Sequence, residues 1–564
     1  MSPQPRPSLL PTWARSFGRP RCCLLLWLVV FSNGAGAVVP RSPAPATGPA
    51  PAVNAVSAPS NDAGLVYIRE FRVRGAEKLP AVAVEEAVYP FLGPGRTKDD
   101  VELARAALEK AYKEKGYETV YVQIPQQQVR GGVIHLEVVE AKVGRLRVKG
   151  ARFFLPSEIK RMAPSLAQGT VPNFNDVTRD IVALNQHPDR RVTPELRAGL
   201  EPGTVDIDLT VKDKFPLHGN VELNNRSSPD TSELRLNASL SYSNLWQLGH
   251  SIGGSFQISP QDLNDVKVYS AYYLARFAEI PWLSLMASGT KQDSNVSTLG
   301  GVAVAGRGEI VGARALISLP PGKDFFHSIS VGMDYKHFKQ AVSLGVDPVT
   351  GISNTTETPI SYYPLSAAYN ANWLGKGSLT ELNAGVTFHL RGMGSEGPQF
   401  DNNRYKADGS FIYLRGDLAH TQDLPLGFEI YGKIQGQISD QPLVSSEQIS
   451  GGGLNTVRGY LEAEVVGDNG IFGTLELRSP SLLDWADKKT SEWRLYAFAE
   501  GGSLTIREAL PEQTGHFELA SVGIGSRIRL FDFLNGSIDA GLPLISQRSK
   551  AHEPLFTFRV WADF

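Results

Sequence analysis

Few residues of this chain are of kinds that could do chemistry. The two cysteines, Cys22 and Cys23, are adjacent and near the N-terminus. The rest of the chain therefore has no thiolate zinc site, iron–sulfur cluster, cysteine nucleophile or disulfide framework. The ten histidines are scattered, none at metal-ligand spacing. There is no G-x-x-x-x-G-K-[ST] loop, no H-E-x-x-H and no G-x-S-x-G. Gly392-Met393-Gly394-Ser395-Glu396-Gly397 spells G-x-G-x-x-G. Pro398 and another alternating segment are expected after it rather than a helix, so it reads as a flexible loop that cannot offer helix amides to phosphate. The pattern supports neither acid–base nor nucleophilic catalysis, and no cofactor or metal is expected. One stretch stands apart. Gly451-Gly452-Gly453-Leu454-Asn455-Thr456-Val457-Arg458-Gly459-Tyr460 lies in a connection between segments ending near Ser439 and starting near Ile471. At about thirty residues, such a connection is usually functional. It reads either as a solvated loop tip or as a loop folded into an interior. In the second case Arg458 needs a carboxylate partner, because an unpaired buried guanidinium is costly.

The elements that would position this loop follow from composition and pattern. Lys and Arg (56) nearly balance Asp and Glu (58), which leaves no basic surplus for nucleic acid. Apolar residues make up 42%, too many for a disordered chain. The run from Cys22 to Phe31 is apolar but, at about ten residues, too short to span a bilayer. Arg15, Arg19 and Arg21 precede it and Gly34-Ala35-Gly36-Ala37 follows, so residues 1–37 read as a secretory signal peptide rather than an uncut anchor. Residues 38–64 are rich in Pro, Ala, Ser and Val and read as a linker without a plug-like helix.

Residues 65–141 and 142–214 read as two copies of one β-α-α-β-β module. Phe71-Arg-Val-Arg-Gly-Ala76 is echoed by Leu146-Arg-Val-Lys-Gly-Ala151. In the first copy, Thr97 is a candidate N-cap with Asp100 three residues on. Val101, Ala104, Leu108 and Ala111 form one helical face, and Gly116 stops the helix. In the second copy Val177, Ile181 and Leu184 form the equivalent face.

From 215 to 564 the helical period gives way to alternation, as in Val311, Ala313, Ala315, Ile317 and Leu319, or Val522, Ile524, Ile528 and Leu530. A soluble sandwich would turn these residues inward; a membrane barrel would turn them out to lipid. Small polar residues on the opposite face favour the barrel, as do aromatic clusters at segment ends (Tyr272-Tyr273, Pro281-Trp282, Tyr362-Tyr363, Trp493) and alternation up to Phe564. About sixteen such segments, each long enough for the 9–11 residues of a tilted membrane strand, fit the available length. The expected fold is a 16-stranded antiparallel transmembrane β-barrel preceded by two α+β modules.

Val457-Arg458-Gly459-Tyr460 matches the V-R-G-Y loop motif of the two-partner secretion transporters, the haemolysin and haemagglutinin secretion family. The chain resembles that family throughout its expected mature part, and so also the wider superfamily that joins periplasmic POTRA modules to a 16-stranded barrel. The family's partner motif, F-x-D-x-G, is met by Phe498-Ala499-Glu500-Gly501-Gly502, with Glu in place of Asp. Alternation puts Phe498, Glu500 and Gly502 on the face of Arg494 and Tyr496, toward the lumen, and Trp493, Leu495 and Ala497 on the other. Glu476 and Arg478 on the preceding strand also face inward and could complete a network. The resemblance implies an outer-membrane transporter that secretes a large exoprotein bearing an N-terminal secretion domain. Its modules would lie in the periplasm and its barrel in outer-membrane lipid. Phe564 would be the C-terminal signal read by the barrel-assembly machinery, and the transporter would act as a monomer, without nucleotide or nucleic acid. An outer-membrane assembly insertase is the alternative, but two modules are fewer than insertases usually carry. A passive porin has no use for such modules.

Overall fold

The computed structural model describes residues 65–129, 131–277, 279–294, 296–297, 304–305, 307–346, 353–483 and 491–564. The signal peptide and linker read from the sequence lie outside these residues. The chain forms two compact units, divided along the sequence between Asp213 and Lys214.

The smaller unit holds two three-stranded sheets, besides a short antiparallel pairing of Val66–Ile68 with Gly93–Arg96. In the first, β1 (Glu70–Arg74) runs parallel to β3 (Val133–Glu140), which pairs antiparallel with β2 (Val120–Gln123). Helices α1 (Ala81–Val88) and α2 (Lys98–Glu114) fall between β1 and β2. The second sheet repeats the plan with β4 (Lys142–Lys149), α3 (Pro156–Arg161), α4 (Phe174–Asn185), β5 (Arg190–Ala198) and β6 (Thr204–Asp213), in the order β4-β6-β5. Thr97 and Asp100 form a reciprocal capping box at the start of α2, and Ala104, Leu108 and Tyr112 bury one face of that helix.

The six-residue echo has a physical cause. Gly75 and Gly150 hold φ of +80° and +81°. A Cβ there would lie 2.3 Å from the Val138 carbonyl oxygen and 2.5 Å from that of Val211. Only glycine combines that conformation with that close approach. The carboxylate at the end of each module's last strand then receives the turn that follows the glycine. Glu140 accepts from the amides of Glu77 and Lys78, both at 2.7 Å, and Asp213 from those of Arg152 and Phe153 at 2.8 and 2.7 Å. The modules are joined directly: the Phe174 amide donates to the Gly116 carbonyl (2.8 Å), and Val171 packs into the first module's core.

The larger unit is a closed antiparallel barrel. Its strands are β7 (Leu217–Asn224), β8 (Arg235–Leu245), β9 (His250–Ile258), β10 (Lys267–Arg276), β11 (Leu283–Asp293), β12 (Arg307–Ser318) and β13 (Phe325–Val346). They continue with β14 (Ser353–Tyr362 and Leu365–Gly375), β15 (Ser378–His389), β16 (Phe411–Asp423), β17 (Glu429–Ser439), β18 (Asn469–Arg478) and β19 (Glu492–Thr505). The last three are β20 (His516–Leu530), β21 (Leu534–Pro543) and β22 (Leu555–Asp563). Both parts of β14 pair with β13, so it is one strand broken at Tyr363-Pro364, where proline lacks an amide donor, and the count is sixteen. Closure joins β22 to β7, from Arg559 opposite Asn224 to Asp563 opposite Asn220. Phe564 and Gly219 then exchange two backbone hydrogen bonds of 2.9 Å. The Phe564 ring occupies the space a Cβ at Gly219 would need.

Burial is inverted relative to a soluble protein. Ile524 is 66% exposed on the outer wall, whereas Arg235, facing the lumen, is 2% exposed. No helix among the described residues is long and apolar enough to cross a membrane; the crossing elements are strands.

Two expectations are corrected. A short helix, α5 (Gly397–Asn403), follows the G-x-G-x-x-G spelling, started by Pro398 and by a capping box between Glu396 and Gln399. The Glu396 side chain already accepts from its first turn. Tyr362 does not sit in an interfacial girdle. It is fully buried inside the barrel, because its strand turns that side chain inward to a carboxylate, Glu447.

Gly75→Ala and Gly150→Ala each place a methyl against a carbonyl at positive φ, where L-residues are already disfavoured by about 1–2 kcal/mol. Each is expected to loosen its own module while leaving the barrel intact. Limited proteolysis should show new cuts confined to that module, with unchanged heat-modifiable migration of the full chain.

Candidate functional site

The long connection between β17 and β18 does not project away from the barrel. It rises from Asp440, forms a small hairpin of Ile449–Gly451 with Val465–Gly467, and carries its tip back against the inner wall. Glycine makes this path possible. Gly452 and Gly453 hold φ of +100° and +91°. At the tip, Gly459 and Gly541 of β21 lie backbone against backbone: a Cβ on Gly541 would be 2.5 Å from the Gly459 nitrogen.

Arg458 is 4% exposed and is the centre of the site. Its Nε and Nη2 donate to Glu500 Oε1 at 2.9 and 2.7 Å, and its backbone amide donates to Glu500 Oε2 at 2.6 Å. Nη1 reaches Glu476 Oε2 at 2.9 Å and Asp539 Oδ1 at 3.1 Å. The guanidinium carbon sits 3.6 Å from the centroid of the Phe498 ring. Glu476 is also bonded by Arg478 (2.7 Å) and Arg527 (2.8 Å), and Asp539 by the Tyr496 hydroxyl (2.8 Å). Three cations and three carboxylates thus share one enclosed volume, which lets charges survive where water is scarce.

Each residue of the two motifs has a physical place. Val457 and Tyr460 are buried with Ile449, Phe472, Leu504 and Leu519. The Tyr460 hydroxyl donates to the carbonyls of Ala520 (3.0 Å) and Ile545 (2.7 Å). Phe498 supplies the face on which the guanidinium rests. Gly502 leaves room for the Phe472 ring, which a Cβ there would meet at 2.1 Å. Glu in place of Asp reaches both the backbone amide and the side chain of Arg458. Phe564 lies apart from this cluster, at the barrel seam.

Sequence reasoning missed Asp539 and Arg527. Both sit on the inward face of alternating strands, beside Ile538 and Ile528, so the alternation carried a signal for orientation but none for proximity. Two further ion pairs tie the loop down: Glu462 to Arg226 at 2.6 Å and Glu447 to Lys336 at 2.5 Å.

Arg458→Ala would leave Glu500 buried without a counter-charge, a change that costs about 3–5 kcal/mol for a buried pair. The expected outcome is a folded barrel with an undocked loop. Heat-modifiability should shift to lower temperature by a clear margin, and less so for Glu500→Asp, which keeps the charge.

Comparison with known proteins places this geometry. The family model for the ShlB-type POTRA domain matches residues 66–141. The model for the haemolysin secretion/activation protein ShlB/FhaC/HecB family matches 363–528, a stretch that contains both Arg458 and Glu500. The outer membrane transporter CdiB of Dickeya dadantii is 24% identical over 392 residues, 65% of this chain and 64% of that protein, a little under two thirds of its length. CdiB of Escherichia coli is 24% identical over 481 residues, covering 84% and 78%. The heme/hemopexin transporter HuxB of Haemophilus influenzae is 21% identical over 388 residues, covering 67% and 66%. Among solved structures, CdiB from Escherichia coli superposes with a TM-score of 0.61 at 20% identity over 91% of this chain and 93% of that one. BamA from Haemophilus ducreyi lacking POTRA domains 1–3 gives 0.54 at 15% identity, covering 88% and 100%. These two show the shared fold. A closed sixteen-stranded barrel, an N-terminal module matched by the ShlB-type POTRA model and a haemolysin secretion/activation match that includes the loop and its partner strand agree: the chain is similar to the two-partner secretion transporters of the bacterial outer membrane.

Proposed function

We propose that this transporter moves one large partner exoprotein, of haemolysin or adhesin type, from periplasm to cell surface through the barrel lumen, with the Arg458 loop as its gate. The exoprotein carries an N-terminal secretion domain and arrives unfolded. It is met by the free edges of the module sheets, β1 and β2 in the first and β4 and β5 in the second, where an extended peptide can add as a strand. It then threads the barrel without nucleotide, and folding outside supplies the drive. The barrel-assembly machinery inserts the chain by way of Phe564, and the transporter works as a monomer.

The observation that carries the gate reading is the seating of a glycine-hinged loop in the lumen through one arginine and carboxylates of three strands. A permanent wall element would not need charges that can exchange for water. A second feature supports a path beside the loop. In register across β8 to β11, Ser239, Ser255, Ser270 and Thr290 face the lumen, flanked by Asn237 and Gln257 and by Ser241 and Ser288. Ser239 is exposed there. A passing chain would meet hydroxyls and amides on this wall rather than fixed charge. The insertase alternative rests on likeness of fold.

Arg458→Ala is expected to leave normal amounts of barrel in the outer membrane and to abolish release of the exoprotein, measured in culture supernatant. Wild-type secretion by that variant would remove the loop from the mechanism. Depletion of the whole transporter is expected to remove one secreted protein. Loss of many outer-membrane proteins instead would select the insertase reading.

A further inference from the structure

The loop is also held at its root, on a different arc of the wall. Glu447 lies on the rising limb, just before the hairpin, and is 0% exposed. Its Oε1 accepts from Lys336 Nζ of β13 and from the Tyr362 hydroxyl of β14, both at 2.5 Å. Its Oε2 accepts from the Tyr413 hydroxyl of β16 at 2.8 Å. Arg415 and Gln437 each donate to the Glu447 carbonyl at 3.1 Å. Leu443 and Val444 pack beside this socket against Ile310, Phe338, Ile360, Phe400 and Phe411. The tip is bound by β18, β19 and β21, and the root by β13, β14 and β16.

The two attachments differ in what their release would leave behind. When Arg458 departs, Glu476 keeps Arg478 and Arg527, and Asp539 keeps the Tyr496 hydroxyl. Glu500 and Asp539 lose their counter-charge, although Asp539 retains the phenol hydrogen bond. When Glu447 departs, Lys336, itself 1% exposed, loses the one carboxylate paired with it among the described residues. It would be left as an ammonium among apolar rings, and the Tyr362 and Tyr413 hydroxyls would lose the same carboxylate acceptor with it. Gly452 and Gly453, with positive φ, lie between the two attachments and provide a hinge.

We propose that Glu447 is a positioning residue: its socket of Lys336, Tyr362 and Tyr413 fixes the loop root as a pivot, so that the tip alone leaves the wall during export. This rests on the gate reading above. The chain has no cysteine after Cys23, so a single introduced thiol reports its own surroundings. Val457→Cys probes the tip and Val444→Cys the root, both buried in the resting state. Each is labelled in intact cells with a membrane-impermeant maleimide, with and without the exoprotein, in the full-length transporter, against the unsubstituted chain as background. Reactivity of a buried thiol follows local opening, and an increase of about tenfold or more is expected at 457 with the exoprotein present, with no change at 444. Adding Glu447→Gln or Lys336→Met is expected to bring the 444 thiol up to the rate of the 457 thiol and to lower secretion, with Glu447→Asp restoring protection at 444. Labelling of both thiols together in the otherwise native socket would overturn the pivot, and that comparison does not depend on any socket variant folding. A 457 thiol that stays protected during export would overturn the gate reading. The pivot would still be judged separately: a 444 thiol unmoved by Glu447→Gln would overturn it too.

Discussion

Hydrocarbon offers no hydrogen bonds to an exposed peptide group, and this constraint organises the whole barrel. Every strand edge must be paired, so the sheet closes, and β22 meets β7 through Phe564 and Gly219. Once the outer wall is apolar, each alternate residue points inward, and the lumen inherits nearly all the polar side chains. Those charges sit in a narrow, poorly hydrated space. They persist there only by finding counter-charges, and that requirement explains the ion-pair lattice on β17 to β21, from Glu429 and Arg494 (2.8 Å) to Arg458 and Glu500 (2.7 Å).

The loop answers the same requirement from the other side. It brings a cation, Arg458, to a wall rich in carboxylates, and an anion, Glu447, to a wall that offers an ammonium and two phenols. Complementarity of this kind fixes register more than it adds stability, since both partners must first give up water. Apolar contacts at Val457, Tyr460 and Phe472, and at Leu443 and Val444, bury the surface that holds the loop in place. A structure held by such pairs can let go in steps, because two of the three carboxylates at the tip, Glu476 and Asp539, have another partner besides Arg458.

The periplasmic modules obey different physics. They are small water-soluble α+β units with ordinary cores, and their repetition is visible because the same strained glycine and the same amide-binding carboxylate recur at equivalent places. The echo of Phe71–Ala76 in Leu146–Ala151 was legible for that reason. The helix at Gly397 was not. Pro398 and the short polar run after it give no apolar period, and the helix exists because Phe400 inserts against Tyr362 and His389 from other strands.

Alternation along a strand is local, so the sequence by itself told which face of β19 carries Phe498, Glu500 and Gly502, and which residues meet lipid. It told that Arg458 would need a carboxylate if enclosed. It did not reveal that Asp539 shares that arginine with Glu500 and Glu476, that Tyr362 turns to Glu447, or that Lys336 lies beside them. Those meetings depend on how strands far apart in sequence are staggered around a closed cylinder and on where a loop lands inside it. Neither is encoded in the spacing of residues along one segment; both are set only when the last strand pairs with the first.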